Sequence, residues 1–490
     1  MMRAAFWIFS GKLGNQLVTL GVVMILARLL IPEDFGTVAA SQVILTLSQV
    51  AARFGIGTYL IQAEKLTPRI IGTAMTLMLS VALCISAILW TFASQIGDAI
   101  NVPELAQIMP ILLASLILYA AINPSTSLLS REMEFKFIAK TEVTSHAIGF
   151  GAVAITLAIL GFGYWAIILG SFAKTLMRGV LVFWRMPVWP SFSMKLSEIS
   201  PMLRFGSGVF LAQIMSNVAR RVDNLIITST MGPASLGYYS RAYGLMEISN
   251  KLLGSVFLET LFSGFSKKRR EGQKIDRNNA FLISHAFAAF LIIPISALMW
   301  LLADEIVWIL LGANWVDAVP VLEVLSLGIF FRLGYKVSDA FNLSEGAVIC
   351  AALLNCLYAL MVAAGAWIGS RWGITGVAWG VLGALAIHFT LTTTAALLLS
   401  GSNWGTYIKT VLPFFIVASL VGVIVYGART ALWTELAFAD MTAAISFVTM
   451  YGVILYMARR QQVIQLVLLR IAKLGLYLSK QWHHRPATRG

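Results

Sequence analysis

The sequence predicts an all-α, polytopic membrane protein of about fourteen transmembrane helices. Three observations carry that reading: a composition unsuited to water, apolar runs of membrane-spanning length, and basic residues gathered in alternate loops. Hydrophobic residues fill 59% of the 490 positions and charged ones only 12%, against roughly 25% charged in a soluble domain. No Pro/Ser/Gly-rich linker or low-complexity tract interrupts the chain, so one continuous membrane domain is expected.

Crossing a hydrocarbon core of about 30 Å at 1.5 Å per residue takes ~20 apolar residues. Runs of that kind fall near residues 11–31, 37–61, 71–95, 107–130, 143–162, 164–184, 203–231, 237–263, 281–303, 318–342, 347–369, 373–399, 407–427 and 437–457. The first run is long enough to span and has no small-residue cleavage site, so it is expected to stay as the first helix. Loops two, four, six and eight carry Lys65 and Arg69; Arg131, Lys136 and Lys140; Arg185, Lys195 and Arg204; then Lys267, Lys268, Arg269, Arg270, Lys274 and Arg277. The positive-inside rule makes these loops cytoplasmic. The intervening loops hold Glu33, Asp34, Asp98, Glu104, Asp304, Glu305, Asp317, Glu435 and Asp440, with scattered Arg28, Arg371 and Arg429. This alternation places both termini in the cytoplasm, and a helix missed or invented would break it.

The formal net charge of +14 raises the question of nucleic acid. The basic residues lie where membrane topology places them, so no nucleic-acid partner is expected. Cys84, Cys350 and Cys356 sit within apolar runs and read as small core hydrophobes rather than disulfide or thiolate-metal partners. After the last run, Arg459 to Trp482 mixes Val463, Ile464, Leu466 and Leu469 with Arg470, Lys473 and Lys480, a pattern for a basic amphipathic helix on an anionic leaflet.

An internal repeat adds organisation. Ile25–Thr37 (ILARLLIPEDFGT) aligned with Ile226–Tyr238 (IITSTMGPASLGY) sets Pro32 on Pro233, Phe35 on Leu236 and Gly36 on Gly237. A weaker match sets Pro110 beside Pro320. An offset of six helices preserves orientation, so the copies are parallel repeats. The expected domains are an N-lobe over 1–200, a C-lobe over 201–400, two further helices over 401–458 and the basic cytoplasmic tail over 459–490, with a cavity between the lobes.

Ionisable groups at bilayer depth cost ~2.5–3.5 kcal/mol each on insertion scales, so they are expected to face protein or water. Arg220, Arg221 and Asp223 fall in the seventh helix, with Arg220 and Asp223 on one face by i, i+3 spacing. The eighth carries Glu247, Lys251 and Glu259, and the tenth sets Arg332, Lys336 and Asp339 along one stripe. Arg53 and Lys12 are the cations of the first lobe. The basic excess points to a wet cavity that attracts an anion, with Arg53, Arg220, Arg221, Lys251, Arg332 and Lys336 as its cations. Asp223, Glu247 and Asp339 are candidate coupling or pairing acids, and structural ion pairing is the competing account of the set. Lys174 and Arg178 lie toward the cytoplasmic end of the sixth helix and are expected to snorkel to the interface. His146 and His388 have no acid or cysteine at metal-ligand spacing and read as hydrogen-bonded core histidines. No metal, cofactor or catalytic residue is expected. Trp165, Trp189, Trp315, Trp372 and Trp404 near helix ends fit an interfacial belt.

The segments ILARLLIPEDFGTVAASQVI (25–44), RFGIGTYLIQ (53–62) and RRVDNLIITSTMGPASLGYYSRAYGL (220–245) resemble the polysaccharide transporters of the O-antigen and colanic-acid type. These belong to the multidrug/oligosaccharidyl-lipid/polysaccharide (MOP) exporter superfamily. The resemblance implies the MOP flippase fold and a non-enzymatic flippase of the bacterial inner membrane, working by alternating access. Its cargo would be an undecaprenyl-diphosphate-linked oligosaccharide, with membrane lipids, a polysaccharide polymerase and a chain-length regulator as further partners. The lipid tail would run in a groove by helices thirteen and fourteen, as in the related lipid II flippases. The rival readings are a multidrug/cation antiporter of the same superfamily and a membrane enzyme acting on lipid-linked sugars; an organic-cation site should be acidic, not basic.

Overall fold

The computed structural model describes residues 2–191, 196–270, 274–432 and 439–457, and every regular element among them is helical. The tail over 459–490 lies outside the described residues. The first crossing is α1 (Met2–Leu29). Pro32 opens α2 (Pro32–Arg53), at a position where the missing N–H leaves no bond unmade. The Asp34 carboxylate accepts from the Ile31 N–H at 3.2 Å and helps close that turn. Phe54 and Gly55 take left-handed conformations before a short α3 (Ile56–Gln62). The third crossing is α4 (Pro68–Thr91), whose Thr67 hydroxyl accepts from the Ile70 N–H at 3.2 Å. After α5 (Ala93–Ala99) comes the fourth, α6 (Leu105–Arg131). The fifth is α7 (Phe135–Thr144), a π-helical stretch (Ser145–Ala152) and α8 (Val153–Ile159); the sixth is α9 (Tyr164–Arg185).

The seventh crossing is α10 (Leu196–Ala219) with the start of α11 (Val222–Arg270). Gly232, at φ 81° and ψ 175°, breaks α11 so that the remainder makes the eighth. The ninth is α12 (Lys274–Leu301). The short α13 (Ala303–Leu310) leads to the tenth, α14 (Val319–Leu327) and α15 (Ile329–Ser344). The last four are α16 (Val348–Gly369), α17 (Gly373–Ser400), α18 (Trp404–Leu432) and α19 (Ala439–Met457). Helices therefore occupy all fourteen runs read from the sequence. Among the described residues nine helical stretches are individually long and apolar enough to span, one of them the continuous Val348–Ser400. That stretch is two helices folded back on one another. A Cβ on Gly365 would lie 2.6 Å from the Gly380 carbonyl oxygen, and Gly369 meets Gly376 in the same way. Large apolar side chains such as Trp184, Ile349 and Leu398 are more than three-quarters exposed, as helices bathed by lipid require.

The chain packs as two compact units. One takes residues 1–248, 306–321 and 355–384; the other takes 249–305, 322–354 and 385–490. The first unit thus keeps the seventh helix and the start of the eighth with the first six. Close backbone contacts explain that grouping. A Cβ on Gly36 would overlap the Pro233 carbonyl group, and a Cβ on Gly237 would overlap that of Pro32. The two copies of the Pro–Gly repeat therefore meet each other, each glycine receiving the other copy's proline carbonyl. Gly55 and Gly206 make a second such contact, with a Cβ on Gly55 only 2.7 Å from the Gly206 oxygen.

Two sequence expectations are corrected. Trp315 does not join an interfacial belt: it is fully buried, donates to the Ala27 carbonyl at 2.9 Å and packs edge-on to Phe35. The tight turn after Gly312 points it inward. The three cysteines are exposed on outward helix faces rather than in the core, because an apolar run in a membrane helix contains lipid-facing positions as well as buried ones. Truncating Trp315 to alanine should lower stability by about 3–5 kcal/mol. A Tm in detergent unchanged from wild type would contradict the packing described.

Candidate functional site

The first unit encloses a cavity of about 430 Å³, a volume within the usual range for small-molecule sites. Its walls are α2, α3, α6 and α9, and they are polar although these helices lie at membrane depth. From α2 come Gln42, Gln49 and Arg53; from α6, Ser115, Tyr119, Asn123, Thr126 and Ser127; from α9, Ser171, Lys174, Thr175 and Arg178. On α2 and α9 these residues recur at helical spacing, so the polar stripes face one another while the opposite faces stay apolar. Gly57 lets α3 come close to α6, since a Cβ there would lie 2.6 Å from Asn123 Oδ1.

Each cation is held by a defined neighbour. The Arg53 guanidinium donates to the Gln213 side-chain oxygen of α10. Lys174 and Arg178 share Glu142, at 3.2 Å and 3.4 Å from its two carboxylate oxygens. Their side chains are between a quarter and a third exposed, so the pairs are only partly buried. Three cations thus face one carboxylate, and the cavity carries an excess of positive charge. Asn123 Oδ1 and Arg53 Nε are buried here without a hydrogen-bond partner in the chain, polar atoms that a bound ligand would satisfy.

The π-helical stretch places the anchoring groups. A π turn carries one extra residue and re-aims the side chains around it. Gly149 within it lets the fifth crossing approach the backbone of α9, since a Cβ would sit 2.7 Å from Lys174 Cα. His146, in the same stretch, meets Lys174 Nζ through Nδ1 at 2.9 Å and the Thr19 hydroxyl through Nε2 at 3.0 Å. His146 is therefore the hydrogen-bonded core histidine expected, and His388 is likewise buried, against the Tyr335 ring.

Of the cations singled out in the sequence, Arg53 lines this cavity. Lys174 and Arg178 were expected to snorkel; instead they turn inward, because Glu142 on α7 offers them an acid partner. Arg220, Arg221, Asp223 and Glu247 gather elsewhere in the same unit. Arg220 and Asp223 do not share a helix face, because the helix breaks between Ala219 and Val222. Arg220 is exposed and reaches Asn217 at 3.3 Å, whereas Asp223 is buried and accepts from the Tyr239 hydroxyl at 2.9 Å. Arg221 lies within electrostatic reach of Glu247 and Asp223. Arg332, Lys336 and Asp339 fall on α15 in the second unit, Arg332 buried and all three engaged with neighbours. The Lys251 side chain is outside the described residues. Glu142, Gln42, Gln49 and Asn123 were not foreseen; a sequence signal existed in their i, i+4 or i, i+7 spacing from charged or polar residues. The second unit holds an apolar groove of about 470 Å³ on α12, α14, α15 and α18, lined by Trp300, Phe330, Phe415 and Tyr426 among others. Among the described residues no cluster of three metal-ligating side chains occurs.

Comparison with known proteins adds the following. Residues 25–320 match the family model described as polysaccharide biosynthesis protein. The succinoglycan biosynthesis transport protein ExoT of Rhizobium meliloti (strain 1021) is 26% identical over 342 residues, 69% of this chain and 68% of that protein. The lipopolysaccharide biosynthesis protein WzxC of Escherichia coli (strain K12) is 23% identical over 334 residues, 66% of each. The teichuronic acid biosynthesis protein TuaB of Bacillus subtilis (strain 168) is 23% identical over 410 residues, 81% of this chain and 83% of that one. Among solved structures, lipid II flippase MurJ in its inward closed conformation matches with a TM-score of 0.76 at 14% identity, covering 94% of this chain and 100% of that one. An inward-facing multidrug resistance transporter of the MATE family and MOP superfamily matches with a TM-score of 0.66 at 16% identity, covering 79% and 95%. At these identities the structural likeness is one of fold.

Proposed function

The chain belongs to the polysaccharide biosynthesis protein family, and from that premise we propose that it is a non-enzymatic flippase for a lipid-linked saccharide. In this reading it carries an undecaprenyl-diphosphate-linked oligosaccharide from the cytoplasmic to the periplasmic leaflet of a bacterial inner membrane by alternating access. Both termini are cytoplasmic, and a polysaccharide polymerase and chain-length regulator receive the product.

The observation that carries the reading is the charge balance of the cavity: Arg53, Lys174 and Arg178 against Glu142. A diphosphate leaving water needs counter-charge and directional donors, which arginine and lysine supply. The amides and hydroxyls around them have the chemistry to receive sugar hydroxyls. Arg220, Arg221, Lys251, Arg332 and Lys336 are proposed as cations met along the path, with Asp223, Glu247 and Asp339 as their pairing or coupling acids. The apolar groove on α18 suits the lipid tail. A cation antiporter fits poorly, because an organic cation would meet three like charges.

The test is reconstitution in proteoliposomes with a fluorescent undecaprenyl-diphosphate oligosaccharide. Arg53→Ala and Arg178→Ala should each slow translocation about tenfold, the worth of a charged hydrogen bond, with normal insertion. Wild-type rates in both would remove the cavity from the mechanism; transport of a cationic dye with no saccharide movement would favour the antiporter.

A further inference from the structure

We propose that His146 is a positioning residue that holds Lys174 as the anion ligand of the cavity, its neutral ring accepting from the ammonium. The proton inventory follows from donor and acceptor capacity. An ammonium only donates, so in the 2.9 Å contact with Lys174 the His146 Nδ1 accepts. The Thr19 hydroxyl has one hydrogen, and it goes to the Asn15 carbonyl at 2.7 Å. The 3.0 Å contact between Thr19 and His146 therefore runs from Nε2–H to the hydroxyl oxygen. One form of the ring satisfies both bonds: neutral, with its hydrogen on Nε2.

Lys174 has three donors. His146 takes one, Glu142 a second at 3.2 Å, and the third has the cavity before it. A ring protonated on Nδ1 would present a hydrogen and a positive charge to the ammonium, so the attraction becomes repulsion. The charged groups around the ring are Lys174 and Arg178 from α9 and Glu142 from α7. From α1 the ring meets the neutral Thr19; α8 has no ionisable side chain, and Phe150 covers a flank at 5.1 Å. The ligand class is a phosphate or diphosphate ester, an assignment that rests on the flippase reading above.

The experiment measures binding of undecaprenyl-diphosphate-linked N-acetylglucosamine to the full-length protein in detergent. Both phosphates of this probe are esterified, so their charge does not change near neutral pH. His146→Asn keeps an acceptor near the Nδ1 position and should rescue binding to within about threefold of wild type. His146→Leu removes the acceptor and should bind about tenfold more weakly than wild type. The proposal is overturned if His146→Asn binds as weakly as His146→Leu, or if His146→Leu binds as wild type does. Sulfate serves as a bare anion: His146-dependent sulfate binding with no binding of the lipid probe would sink the flippase reading and leave the histidine–lysine arrangement standing.

Discussion

Gly36→Ala is expected to reduce polysaccharide export to the level of a deletion strain. A Cβ at Gly36 would overlap the Pro233 carbonyl, and the atoms in the way are backbone, which cannot rotate aside as a side chain can. The segment is pinned further by the buried Trp315, which packs against Phe35 and donates to Ala27, and by Arg241 5.0 Å from the Phe35 ring centre. The repeat must therefore part at this point, which on the flippase reading removes one closed arrangement of the transport cycle. Gly237→Ala should behave alike, because Gly237 makes the reciprocal contact with Pro32. The measurement is surface polysaccharide beside membrane abundance of each variant. Wild-type export by Gly36→Val, which is bulkier still, would refute the assignment.

Lys174→Glu should lower the translocation rate in proteoliposomes more than a hundredfold, a larger loss than neutralising Arg53 or Arg178. It removes a cation from the cavity and puts a second carboxylate against Glu142, leaving Arg178 to serve both. Two like charges at such separation repel strongly where water is scarce, and the cavity's excess of positive charge disappears. Glu142→Lys added to Lys174→Glu restores an opposite-charge pair across the contact. It should recover insertion and folding but not transport, since the ammonium then sits on the wrong helix. Full transport by the double variant would mean that only the ion pair matters, and that Lys174 does not meet the cargo.

The crossings were legible because hydropathy and loop charge are properties of single segments, and lipid enforces both. The Pro32/Gly36 and Pro233/Gly237 repeat was legible for a related reason: proline and glycine mark chain breaks wherever they fall. The site was legible only in part. Arg53 stands out in any list of intramembrane charges, but the inward turn of Lys174 and Arg178 depends on Glu142, carried by another helix, and on a π stretch that no residue pattern announces. The spacing of Arg220 and Asp223 misled because i, i+3 neighbours share a face only if the helix continues, and here it stops at Ala219. Trp315 and the cysteines show the same limit: apolar sequence does not say which side of a helix meets lipid.

The four glycines that join α16 to α17 bear on how this region is made in the cell. The turn between the helices is Ser370–Trp372, far too short to reach across a bilayer, and its one charge is Arg371. The pair must therefore leave the translocation channel as one hairpin, its two backbones already in register. An insertion machine handling this chain meets a single bulky passenger here, so a mutation that spreads the glycines apart should first be felt during biogenesis, before any cargo is met.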